Sequence, residues 1–313
     1  MLDLKPKIIF LGTPHFASPF LQALVKNQMK PVLVITQPDE PVGRKKELTP
    51  PPVKVVAEKL GITVSQPKDK REIIEELKKH QPDICVLVAY GQIISPEALL
   101  IPKFGFVNVH PSLLPKYRGA SPIQTAILNG DNQTGISIIQ LTRKVDAGPI
   151  VAQEAIDIKP TDTAETLHNS LSQLGAKLLI KILPDYLAGN MRPKPQDESK
   201  ATYTKLFSRQ DGLINWQETA SQIEAQFRAF HPWPGVFAYW GQKRLKIVNL
   251  SVLEGDFRAD LRPGEVFLGQ NNTLAIKCGQ GAIEIKVIQP EGKKEIPALE
   301  FLRGHKEILG VVL

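Results

Sequence analysis

The 313-residue chain has only 2 cysteines, Cys85 and Cys278, far apart in the sequence. That excludes a disulfide framework and a cysteine-based zinc site, and the reducing cytosol is the simplest home for such a chain. No apolar stretch approaches the length of a membrane-spanning helix. The start, Met1-Leu2-Asp3-Leu4-Lys5-Pro6, lacks the basic, apolar and small regions of a secretory signal in their usual order. The histidines His15, His80, His168, His231 and His305 are scattered without H-E-x-x-H or similar spacing, so no metal is expected. The turn Gly12-Thr13-Pro14-His15-Phe16 lacks G-x-G-x-x-G, whose glycines let a backbone approach a pyrophosphate, so no dinucleotide is expected. There is no internal repeat or low-complexity stretch.

A hydrophobic share of 42% and a charged share of 23% are ordinary for a globular protein, and the length suits two domains. The net charge of +7 points weakly to a polyanionic partner. Residues 209–313 hold 13 Lys+Arg against 12 Asp+Glu, so the C-terminal part is not basic overall. A phosphate-binding surface there has to come from local clusters such as Lys243-Arg244-Leu245-Lys246 and Lys293-Lys294. Taken singly, such clusters are more often solvated surface.

Over residues 1–189, short β-branched runs at 7–11, 32–36, 84–89 and 106–110 alternate with helical patterns at 17–27, 53–60 and 71–79. Two further strands are expected near 135–141 and 150–156. A long amphipathic helix follows from about 164 to 187, with Asp162 or Thr163 as N-cap and Gly189 as the stop. This pattern predicts an α/β fold with a doubly wound, mostly parallel sheet, whose ligands sit beyond the carboxyl ends of the strands. Residues 190–208 read as a polar, proline-containing linker. Residues 209–313 show a short helix and five strand-like segments, at 236–240, 244–253, 264–268, 274–278 and 282–289, which suit a small β-barrel.

The segment most charged with chemistry is Phe106-Val107-Asn108-Val109-His110-Pro111, with Asp146 downstream in Val145-Asp146-Ala147-Gly148. Residues two apart on a strand share a face, so Asn108 and His110 are expected to project together at a strand end. An amide N–H can donate to an oxyanion forming on a carbonyl carbon. A histidine can take a proton from an attacking amine. An aspartate beside the histidine fixes its tautomer and favours the charged ring. Together these groups suit acyl transfer to an amine without a covalent enzyme intermediate. Cys85 lies in the apolar run Ile84-Cys85-Val86-Leu87-Val88 and reads as core.

Asn108-Val109-His110-Pro111-Ser112-Leu113-Leu114-Pro115-Lys116-Tyr117-Arg118-Gly119 resembles the signature of enzymes that transfer formyl from 10-formyltetrahydrofolate. Similarity to the methionyl-tRNA formyltransferase family extends along nearly the whole chain. It covers the turn at 10–17, Gln37-Pro38-Asp39, Val88-Ala89-Tyr90-Gly91-Gln92-Ile93, Pro232-Trp233-Pro234-Gly235 and Gln289-Pro290-Glu291-Gly292-Lys293-Lys294. His15 stands where the family often has Asp, and Lys45-Lys46-Glu47 replaces a stretch usually richer in Gly and Lys.

The resemblance implies a formyltransferase-like Rossmann domain followed by an OB-like barrel, acting as a cytosolic monomer on 10-formyltetrahydrofolate and initiator methionyl-tRNA. It implies that Asn108, His110 and Asp146 are catalytic. It further implies that Ser112, Leu113, Leu114 and Pro115, with the backbone of Val88, Ala89, Tyr90, Gly91, Gln92 and Ile93, line the folate site. Arg44, with Lys45 and Lys46, would grip the tRNA from the long loop at 37–52, and Phe16 is either core or a support for the methionine side chain. Trp233 is open between stacking on a base and packing on the barrel. The catalytic trio is common to formyltransferases that act on amino sugar nucleotides or purine precursors, so the acceptor is indicated by the C-terminal motifs instead. A non-catalytic RNA-binding protein that has kept a formyltransferase-like domain is the remaining alternative.

Overall fold

The computed structural model describes residues 6–43, 46–253, 260–269 and 272–313. Two compact units emerge, one of Met1–Pro122, Gln133–Asp157 and Leu167–Lys205, the other of Ile123–Asn132, Ile158–Thr166 and Leu206–Leu313.

The chain begins with β1 (Ile8–Gly12), α1 (Ser18–Lys26) and β2 (Leu33–Ile35), then a hairpin of β3 (Glu40–Val42) and β4 (Glu47–Thr49). Next come α2 (Pro52–Lys59), β5 (Val64–Ser65), α3 (Lys70–His80), β6 (Ile84–Val88), α4 (Pro96–Leu99), β7 (Phe106–His110) and β8 (Arg118–Gly119). Helix α5 (Pro122–Leu128), β9 (Gln133–Gln140), β10 (Ile150–Asp157), α6 (Ala164–Leu187) and β11 (Tyr203–Thr204) complete the first part of the chain. Its sheet has the strand order β10-β9-β7-β6-β1-β2-β5. Strands β7, β6, β1, β2 and β5 run parallel to one another, while β9 runs antiparallel to both of its neighbours, β7 and β10. All five residues of β1, of β6 and of β7 are buried, as expected for strands covered on both faces. On one face Ile9, Leu11, Cys85, Leu87 and Phe106 join Ile73 and Leu77 of α3 in one apolar cluster.

After β1 the chain builds outward through β2 and β5, then crosses back to place β6 on the other side of β1. That reversal opens a crevice at the carboxyl ends of β1 and β6. The Thr13 hydroxyl, just after β1, donates to the Tyr90 carbonyl, just after β6, at 2.8 Å. The Gln37 amide donates to the same carbonyl at 3.2 Å.

The expected long loop at 37–52 contains the hairpin β3–β4. Its base is anchored by Lys54 Nζ, 2.8 Å from Asp39 and 2.9 Å from Gln66. These bonds from Lys54 and Gln66 hold the Asp39 carboxyl below the usual range. Strands β5, β8 and β11 and helix α4 are too short to show a period in the sequence. The stretch expected to be a linker is tied to the first unit, with Lys194 paired to Ile150 and β11 paired to β8.

In the second unit α7 (Ala220–Ala229) starts at a reciprocal capping box between Thr219 and Gln222. It is followed by β12 (Val236–Trp240), β13 (Lys243–Leu253), β14 (Val266–Leu268), β15 (Leu274–Lys277), β16 (Ala282–Pro290), β17 (Ile296–Pro297) and α8 (Ala298–Gly304). The strands form a six-stranded antiparallel sheet, and register shifts at Ile247–Leu250 bend β13 as an OB-like fold requires. Trp233 is exposed. Among the described residues, no helix is long and apolar enough to cross a membrane.

Both cysteines are buried, which pushes the Cys85 thiol well up and the Cys278 thiol up to about 12. Thiolate is the reactive form. The native protein should therefore leave both thiols unlabelled by a disulfide reagent at neutral pH. Two equivalents should react once denaturant is added.

Candidate active site

Alternation along β7 puts Asn108 and His110 on one face, and Asp146 meets both. Asn108 Nδ2 donates to Asp146 Oδ1 at 3.4 Å, and His110 Nδ1 lies 3.6 Å from Oδ2. The Gly119 N–H also donates to Oδ2, at 2.8 Å. The three residues are 7%, 5% and 9% exposed, so their charges and dipoles act in a largely water-excluded place.

The imidazole is hydrogen-bonded at Nε2 and faces a carboxylate at Nδ1. Nε2 lies 2.8 Å from the Tyr117 carbonyl, which can only accept, so Nε2 carries a hydrogen. Nδ1 is therefore the ring atom at which a proton can come and go, and it faces the carboxylate. The Asn108 amide has a second hydrogen beyond the one given to Asp146.

The chain takes an unusual path here. Tyr117 (φ 63°), Asp146 (φ 50°) and Ala89 (φ 47°) are non-glycine residues in the left-handed region. Each such residue costs on the order of 1–3 kcal/mol and persists only when its surroundings over-determine it. Gly119, at φ 107°, is suited to its conformation as no other residue would be.

The other residues singled out in the sequence fall into distinct places. Leu87 of β6 pairs with Asn108, so Val88 and the bend that follows leave the sheet beside the trio. In that bend Ala89, Gly91 and Ile93 are exposed, and the Gln92 amide donates to Gln37 at 3.1 Å. Tyr90 is fully buried, which pushes its phenol up to about 12.

Ser112 and Leu114 are buried and Leu113 and Pro115 half-buried in a turn fastened from within. Ser112 Oγ donates to the Lys116 carbonyl at 2.6 Å, and Ser137 Oγ donates to the Ser112 carbonyl at 2.6 Å. Phe16 sits in the core against Phe20 and His168, with ring centroids 5.6 and 5.0 Å away. Lys46 is exposed at the tip of the β3–β4 hairpin, and Arg44 and Lys45 lie outside the described residues. No group of three or more His, Cys, Asp or Glu side chains that could hold a metal forms among the described residues.

Several groups around the trio carry no mark in the sequence. The Tyr117 carbonyl and Gly119 N–H are backbone atoms, available to any residue type. Arg118 is 2% exposed, a burial that a single basic residue in a polar turn does not announce.

Two family models match the chain: Formyl transferase over residues 6–183, and Formyl transferase, C-terminal domain, over residues 207–306. A methionyl-tRNA formyltransferase of Caldicellulosiruptor saccharolyticus is 44% identical over 311 residues, covering 98% of this chain and 99% of that protein. One from Citrifermentans bemidjiense is 41% identical over 303 residues, covering 96% and 94%. The chain belongs to the methionyl-tRNA formyltransferase family. Among solved structures, an N-formyltransferase of Helicobacter canadensis with folinic acid and dTDP-3-aminofucose superposes with a TM-score of 0.68 at 22% identity, over 90% of this chain and 98% of that one. HypX of Aquifex aeolicus with tetrahydrofolic acid gives a TM-score of 0.65 at 16% identity, over 99% of this chain and 48% of that one. Both share the fold with this family member.

Close packing shapes the turn that carries the carboxylate. A Cβ at Gly148 would collide with the Gln140 carbonyl. Gly148→Ala should therefore cost about 1–3 kcal/mol of stability, measurable as a lower urea midpoint, since the backbone must move to admit the methyl group.

Proposed function

We propose that the protein transfers the formyl group of 10-formyltetrahydrofolate to the α-amino group of methionine on initiator methionyl-tRNA, giving N-formylmethionyl-tRNA. The observation that carries this reading is likeness to the methionyl-tRNA enzymes through both units, joined to a buried Asn108–His110–Asp146 cluster at the end of β7. Residues 1–189 form the catalytic domain. Residues 209–313 form the tRNA-binding domain, and 190–208 connect the two.

The amine nitrogen attacks the formyl carbon, and the carbonyl electron pair moves to oxygen. The free Asn108 N–H donates to that oxyanion, with the His110 ring beside it. The amine proton passes through Nδ1 of His110 while Asp146 balances the ring's charge. Collapse of the adduct breaks the bond to N10 of the folate, which leaves with a proton as tetrahydrofolate. Holding amine and formyl donor in register supplies much of the remaining rate.

The bend at Val88–Ile93 offers backbone groups to the pterin, and the turn at Ser112–Pro115 walls the same cleft. Arg44, Lys45 and Lys46 reach phosphates or base edges of the acceptor stem. Phe16 supports the site from the core. The enzyme works as a monomer in the cytosol.

Formyl transfer should be seen with methionyl initiator tRNA and not with elongator methionyl-tRNA or a dTDP-amino sugar; transfer to the sugar alone would overturn the acceptor assignment. Asn108→Ala should lower kcat by about 10²–10³, and His110→Ala or Asp146→Ala by about 10²–10⁴. Parental turnover in any of the three would refute its role.

Arg44→Ala should raise KM for the tRNA and flatten the salt dependence of its binding, leaving KM for the folate unchanged. Equal effects on both substrates would argue against a tRNA contact.

A further inference from the structure

Gln196 lies in the stretch expected to be a linker, yet its carboxamide is fully engaged. Nε2 donates to the carbonyls of Asp146 and Gly148, each at 2.7 Å. Oε1 accepts from Arg118 Nε at 3.1 Å and Nη2 at 2.8 Å. Two acceptors on one side and a guanidinium on the other fix which end of the amide is which. Arg118 is in turn gripped by both oxygens of Glu198, at 2.8 and 3.0 Å.

The same stretch fastens the opposite side of the site. Thr202 Oγ1 accepts the Tyr117 N–H at 2.8 Å, and the Thr202 carbonyl accepts the Arg118 N–H at 2.9 Å. Thr204 Oγ1 donates to the Arg118 carbonyl at 3.2 Å and accepts the Ser121 N–H at 3.1 Å. Both left-handed residues that touch His110, Tyr117 through its carbonyl and Asp146 through its carboxylate, are thus held by bonds from residues 196–204.

We propose that Gln196 is a positioning residue for the catalytic carboxylate: its bonds to the Asp146 and Gly148 carbonyls, braced by Arg118, set the left-handed turn that aims Asp146 at Asn108 and His110. This rests on the catalytic reading of that trio. The stretch from Gln196 to Thr204 then positions the trio from outside it. Gln196 differs from a purely structural residue in one respect: its effect on rate has to pass through Asp146.

The test measures formyl transfer from 10-formyltetrahydrofolate to methionyl initiator tRNA, in single turnover, by the full-length protein and by Gln196→Ala, Asp146→Ala and the double variant. Urea midpoints are read in parallel. Gln196→Ala is expected to lower the rate at saturation about 10- to 100-fold, as a small misplacement of a reacting group does, with KM for both substrates within about threefold. In the Asp146→Ala background the same change should cost less than about twofold, because residues that act as one unit are not additive. A parental rate for Gln196→Ala, or its full loss repeated in the double variant, overturns the proposal while leaving the trio standing. A parental rate for Asp146→Ala overturns the trio itself.

Should Gln196→Ala fail to fold, Gln196→Glu reads the same brace. It keeps an oxygen for Arg118, removes the N–H groups that reach the Asp146 and Gly148 carbonyls, and should slow transfer several-fold. An unchanged rate there counts against the proposal.

Discussion

A carboxylate removed from water has to be met by hydrogen-bond donors. Asp146 is met from three separate stretches of chain: the Asn108 amide from β7, the Gly119 N–H from β8, and the Gln196 amide on its own backbone carbonyl, with the His110 ring 3.6 Å from the carboxylate. Remove any one of these and a buried polar group is left without a partner. The geometry of the site is therefore a condition of folding as much as of chemistry. The strained backbone at Tyr117 and Asp146 persists because the hydrogen bonds around it leave no comparable alternative.

The sheet supplies the rigid frame. Strands β1, β6 and β7 are buried on both faces, so their ends cannot drift without opening the core. The reversal of strand order between β1 and β6 leaves a crevice where their carboxyl ends meet, and β7 adds its polar end beside it. Chemistry is thus placed at the edge of the stiffest part of the unit. The bend at Ala89–Ile93 is exposed on three of its five residues, which leaves backbone groups accessible for recognition.

Charge is used locally. The C-terminal part is almost neutral in sum, so any attraction of this part to a polyanion has to come from a few local side chains. Lys243 and Arg244 open β13, where the Arg244 guanidinium lies 4.9 Å from the Phe237 ring, and Lys293 and Lys294 are exposed in the turn after β16.

Much of the fold was legible in the chain itself. The continuous apolar runs, the turn residues between them and the long helix at 164–187 correspond to observed elements to within a few residues, because burial on two faces and helical periodicity both leave a strong local pattern. The asparagine and histidine of β7 could be paired by counting, since a strand alternates. What counting could not reach is separation: Asp146 is 38 positions from Asn108, and Gln196 is 50 from Asp146. Short elements such as β8 and β11 show no period, and proline and polarity made residues 190–208 resemble a spacer. The sequence by itself determined which segments form strands and helices and which side chains share a strand face, because those depend on local geometry. Only the tertiary structure decided that Tyr117, Gly119, Arg118 and Gln196 brace the trio, because which distant backbone and side-chain groups meet depends on how the chain packs.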